Sequence, residues 1–102
     1  MQKYEVYEHI GFRRKFKKLP KEIRERFKKQ INKLIIDPYS LAKPLGNKNF
    51  RELKNKGYRL YYYILNKKII IILINVSNKK NQQEIINNSK KIKDYLSEQK
   101  HQ

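Results

Sequence analysis

Cysteine and tryptophan are missing from this chain, glycine and proline occur three times each, and histidine only twice. Without cysteine there can be no disulfide and no thiolate metal site, which fits a reducing compartment such as the cytoplasm. His9 and His101 stand near opposite ends of the chain, too little material for a paired-histidine nuclease, and His101 reads as tail. Acidic residues are scarce, nine in all and scattered, so neither a metal ligand set nor a cofactor site is expected. The apolar run 69–74 falls far short of the ~20 residues of a spanning helix, and no signal segment is visible. No linker or internal repeat interrupts the 102 residues, which read as one domain, 1–102, with a small core.

What the chain has in excess is positive charge: 26 Lys and Arg against nine acids, a formal +17. Self-repulsion of that size calls for a polyanion or an acidic protein as partner. Eleven cations fall in residues 13–33, eight in 43–68 and five in 79–93. Apolar residues are threaded through all three regions, unlike a disordered basic arm, so the charge coats a folded domain.

The periodicity predicts the elements. Residues 3–8 alternate as a strand. Phe12, Phe16 and Leu19, then Ile23, Phe27, Ile31, Leu34 and Ile35, recur at three and four, so two helices follow, with Pro20 in the first turn of the second. Glu22 with Arg26 and Glu25 with Lys29 are i,i+4 pairs in the favourable order, and Asp37-Pro38 ends the helix. Pro44 and Gly46-Asn47 predict a loop. Residues 50–54 and 58–65 read as strands around a Lys56-Gly57 turn, with Asn66-Lys67 as the next tight connection. Residues 68–76, apolar on both faces, read as a central strand. Asn81 and Glu84 resemble a capping box for a last helix whose Ile85, Ser89, Ile92 and Leu96 share a face. The predicted order is β-α-α-β-β-β-α. The fold class is α+β, a helical hairpin and a C-terminal helix packed on one face of a mainly antiparallel sheet.

Strand parity then assigns the other face. Tyr58, Leu60, Tyr62 and Ile64 share one side and Arg59, Tyr61 and Tyr63 the other. If the first set meets the helices, the second lines an open face, with a guanidinium fork for phosphate beside two rings that can stack on unpaired bases. Cleavage of RNA by its own 2′-OH needs in-line orientation and stabilised phosphate charge, both within reach of Arg and Lys. A lysine crowded by other cations can also serve as base.

The segments Phe16-Lys17-Lys18-Leu19-Pro20, Asp37-Pro38 through Lys43-Pro44-Leu45, Arg51-Glu52-Leu53-Lys54, Gly57-Tyr58-Arg59-Leu60-Tyr61-Tyr62 and Lys79-Lys80-Asn81-Gln82-Gln83-Glu84-Ile85 follow one another along nearly the whole chain. In order and spacing they resemble the RelE/ParE superfamily of toxins from type II toxin–antitoxin modules. The resemblance implies, for its RelE-like branch, a metal-independent endoribonuclease that cuts mRNA in the ribosomal decoding site. By position, Arg51, Lys54 and Arg59 would grip the RNA and stabilise the scissile phosphate, and Lys79 or Lys80 would supply the basic residue after the last strand. The C-terminal tyrosine that often takes part in cleavage has no counterpart between Asn81 and Asn88; the ending looks instead like the branch with Lys-x-x-Gln opening a final helix.

Plainer roles stand beside these. Arg59 can simply pair with Glu52 across the strands, Tyr61 and Tyr63 can be packing residues, and Lys28 and Lys29 can be a solvated helix face rather than a contact to ribosomal RNA. Three functions stay open on sequence: a ribosome-dependent mRNA interferase, a ParE-like toxin that inhibits DNA gyrase, and a non-catalytic RNA-binding module. Charge and the doubly apolar strand imply an acidic antitoxin as partner.

Overall fold

The structure, a computed structural model, describes residues 3–78 and 80–99, with side chains as far as Lys91. Lys79, His101, and the side chains of Ile92 and Leu96, on which parts of the sequence reading fell, lie outside the described set. The elements are β1 (Glu5–Glu8), α1 (Phe12–Lys17), α2 (Lys21–Leu34), β2 (Lys43–Asn47), β3 (Phe50–Asn55), β4 (Tyr58–Leu65), β5 (Ile70–Ser77) and α3 (Gln82–Gln99). The five strands form one sheet in the order β1-β5-β4-β3-β2. β1 runs parallel to β5 and the other pairings are antiparallel.

The helical hairpin forms where the apolar period places it. Phe12 and Phe16 stack at 5.5 Å, and Ile23, Phe27 and Leu34 turn into the core. Pro20 stands at the N-cap of α2, where its missing N–H costs no helical bond. Of the two expected ion pairs, Glu22–Arg26 forms at 3.1 Å, whereas Glu25 meets Lys28 at 3.9 Å instead of Lys29. Each such pair contributes only about 0.2–0.5 kcal/mol, against about 1.5–3 kcal/mol for burying a side chain such as Phe27. Burial therefore fixes the rotation of α2 about its axis.

Three expectations are corrected. The loop expected around Pro44 and Gly46-Asn47 contains β2, which pairs with β3 through a register shift between Pro44 and Asn47. Proline is tolerated because β2 is the sheet edge. The connection after β4 is longer than a tight turn: a single 3₁₀ turn over Asn66–Lys68 and then Ile69 at φ 57°. The third concerns layering. Leu60, Tyr62 and Ile64 do pack with Phe12, Ile23 and Phe27, but the opposite row, Tyr61, Tyr63 and Leu65, packs with Phe50, Ile74 and Ile85 of α3. The helices thus cover both faces of the sheet, not one, and the central strands are buried from each side.

Two local devices set the end of the sheet that matters below. Lys56 at φ 48° and Gly57 at φ 86° make the β3–β4 turn, both central residues being left-handed as a two-residue hairpin of the favoured twist requires. In β5 the pairing with β4 slips between Tyr61 and Tyr62; the bulge lets both Ile74 and Ser77 reach the α3 side.

Candidate functional site

Directly paired residues of an antiparallel ladder project to the same side. Lys54, Arg59 and Ser77 therefore form one row across β3, β4 and β5, and Glu52, Tyr61 and Asn75 the next. Both rows lie on the side of α3. At their centre Arg59 Nε stands 2.6 Å from Glu52 Oε1, with side chains 12% and 6% exposed. Gln82, in the first turn of α3, donates from Nε2 to the same carboxylate oxygen at 3.1 Å. The Tyr61 hydroxyl and Ser77 Oγ share a hydrogen bond of 2.7 Å. Burial pushes the Tyr61 phenol up, the bond to Ser77 opposes it, and Glu52 and Arg59 pull in opposite directions. Lys54, next in the row, is exposed, and so is Lys80 in the turn that leads into α3.

The residues singled out from sequence do not converge. Arg51 pairs with Tyr62 and so sits on the hairpin side, across the sheet from Lys54 and Arg59. Its guanidinium donates to the carbonyls of Lys48, Tyr39 and Ala42 at 2.8, 2.7 and 2.6 Å, and lies 5.6 Å from the Tyr39 ring. Those donors are spent on holding the β2 approach, not offered to a ligand. Tyr61 and Tyr63, expected on an open face, are 0% and 3% exposed beneath α3 and present no stacking surface. Lys28 and Lys29 are exposed on α2, behind the sheet as seen from Arg59. Lys54, Arg59 and Lys80 remain on one side, and Arg59 is plugged by the acid that the sequence offered as its plain partner.

Glu52 is the residue that sequence reasoning undervalued. It shares strand parity with Lys54 and its register partner shares parity with Arg59, so a carboxylate at the heart of the basic row was legible. It was weighed only as a counterion. Among the described residues no group of three or more His, Asp or Glu converges as a metal ligand set.

The family model described as the ParE toxin of the type II toxin–antitoxin system parDE matches residues 9–83. This chain belongs to the RelE/ParE superfamily of type II toxins. It is the toxin of a toxin–antitoxin module. The fold agrees: isolated E. coli RelE superposes with a TM-score of 0.68 at 23% identity, over 87% of this chain and 98% of that one. A chain of the intact E. coli RelBE toxin–antitoxin complex gives 0.67 at 24%, covering 74% and 95%, and one of the Mycobacterium tuberculosis RelBE2 complex 0.64 at 25%, covering 76% and 93%. No curated protein sequence matches significantly. Among the described residues, no helix of this RelE/ParE toxin is long and apolar enough to cross a membrane.

Proposed function

We propose that this toxin stops translation in the cytoplasm by cutting mRNA on the ribosome, without a metal, through Glu52, Arg59 and Lys54. The observation that carries the reading is the nearly buried Glu52–Arg59 pair, with exposed Lys54 beside it, on a protein of charge +17. A phosphodiester offers Arg59 a better-matched anion than a single carboxylate oxygen. As the guanidinium turns to the phosphate, Glu52 is released as a base for the 2′-OH proton. The 2′ oxygen bonds to phosphorus while the P–O5′ bond breaks, leaving a 2′,3′-cyclic phosphate and a 5′ oxygen that takes its proton from water. Lys54 stabilises the charge that grows on the phosphoryl oxygens. Gln82 must move with them, since it covers the carboxylate. Lys79 and Lys80 supply further cations to the backbone. In a translating extract given the purified toxin, mRNA fragments with ends inside the reading frame are expected, and none with the same mRNA stripped of ribosomes. Intact mRNA in the translating extract overturns the reading.

The family description, ParE toxin, favours a second reading, inhibition of DNA gyrase without cleavage of RNA. Purified gyrase separates the two: loss of supercoiling activity supports the second reading and unchanged supercoiling the first. An acidic cognate antitoxin is part of either proposal, supported by the RelE relatives found in complexes with RelB and by the unbalanced charge.

A further inference from the structure

At the end of the sheet beyond Arg59, where the hairpin layer and α3 part, there is a recess of about 320 Å³. Its apolar lining comes from Leu19, Val76 and Ile85, its aromatic wall is Tyr58, and Lys15, Lys18, Ser77, Asn78 and Asn81 complete it. No carboxylate lines it. Ser77 is also the cross-strand partner of Arg59, so the recess is continuous with the row described above.

The rim donates and does not accept. Lys15 and Lys18 are exposed and have no ion-pair partner among the described residues. Asn78 and Asn81 hold each other: Asn78 N–H donates to Asn81 Oδ1 at 3.0 Å, while the N–H groups of Lys80 and Asn81 donate to Asn78 Oδ1 at 2.9 and 3.2 Å. With both side-chain oxygens committed to backbone N–H groups, each amide nitrogen is left as a free donor. An apolar floor, an aromatic wall and a rim of donors suit a planar ring whose edge carries oxygen acceptors and which is tethered to an anion.

We propose that this recess seats one nucleobase of the bound RNA, the neighbour of the phosphate held at Arg59, and that it selects keto bases over amino bases. The inference rests on the RNA reading given above and adds the recognition element. Tyr58 supplies the stacking surface. The amides of Asn78 and Asn81 meet the carbonyl that uracil and guanine carry where cytosine and adenine carry an amino group. Lys15 and Lys18 take the adjoining backbone phosphates.

The test is direct binding of the full-length toxin, without ribosomes, to a uridine decamer and a cytidine decamer, followed by fluorescence anisotropy across a salt series. The uridine decamer is expected to bind about fivefold or more tightly. Asn81→Asp keeps the oxygen that Asn78 needs and replaces the donor by an acceptor, so the ratio is expected to fall to one or to invert. Tyr58→Leu is the second variant, expected to weaken both decamers while its melting curve reports folding. In Lys15→Ala and Lys18→Ala both decamers should weaken equally, the salt slope falling by roughly 0.7 per lysine. Equal binding of the two decamers by the unaltered toxin, or an unchanged ratio in folded Asn81→Asp, overturns the proposal. The ratio is read on free RNA, so intact mRNA in the extract would overturn the cleavage reading and leave this result standing.

Discussion

Two arginines on neighbouring strands of this toxin have opposite duties. Arg51 ties three backbone carbonyls together on the hairpin side. A lysine there, with a single ammonium, cannot satisfy three diverging acceptors, so Arg51→Lys is expected to lower stability by about 3 kcal/mol, measured by urea unfolding. Arg59 faces α3 and its partner Glu52 is only 6% exposed. Arg59→Ala strands a buried carboxylate and should cost about 3 kcal/mol; Glu52→Gln in the same molecule should restore a good part of it. A double-mutant cycle with coupling near zero would show the pair to be energetically idle. A loss of toxicity in Arg59→Ala alone is thus ambiguous, and the doubly substituted protein is the fair test of chemistry.

At the scale of elements, β4 is the strand on which both faces of the core depend. Tyr62, buried on the hairpin side, donates its hydroxyl to the Pro38 carbonyl at 2.6 Å, and burial raises its pKa well above the ordinary 10.0. Because the raised value belongs to the folded state, this contribution is complete below the unfolded pKa and drains away as pH climbs through it toward the folded one. Thermal unfolding midpoints are expected to drop steeply from about pH 10 upward, and less steeply in Tyr62→Phe. Equal slopes in the two proteins would remove Tyr62 as the cause. The strand itself was readable to the residue, since Tyr58–Leu65 lies between the Lys56-Gly57 turn and Asn66-Lys67 and is rich in aromatic and β-branched or aliphatic residues. What parity could not say was whether the Tyr61 and Tyr63 side was bare. α3 begins many residues later, and the direction in which a helix folds back is decided by packing of Ile85, not by any signal in β4. β2 was hidden for the converse reason. Pro44 and Gly46 argue for a turn, and only the edge position, a property of the assembled sheet, makes them acceptable in a strand. For the site, strand parity sets Arg51 across the sheet from Lys54, a separation that grouping Arg51, Lys54 and Arg59 passed over; the Arg59–Glu52 pair stood among the plain alternatives, and burial beneath α3 decided for it.

The whole molecule carries its charge nearly everywhere. A formal +17 on 102 residues is opposed by five ion pairs among the described residues, four of them on partly or fully solvated side chains, which offset little of the repulsion. Salt should therefore stabilise the free toxin. The melting temperature is expected to rise between low ionic strength and about 0.3 M, where the screening length falls well below the width of the molecule. A melting temperature that falls with salt would mean that surface ion pairs outweigh the repulsion. The same screening should weaken any RNA contact, so stability and binding are predicted to move in opposite directions along one salt series.

The parallel pairing of β1 with β5 joins Glu5 to Ile70, and β5 lies inside the sheet between β1 and β4. During synthesis the first strand has no neighbour to zip onto until the segment after Leu65 has left the ribosome, because loop closure over that span comes last. The chain's opening segment thus waits for its closing third, and the interior place of β5 ties the two ends of the sequence into one sheet.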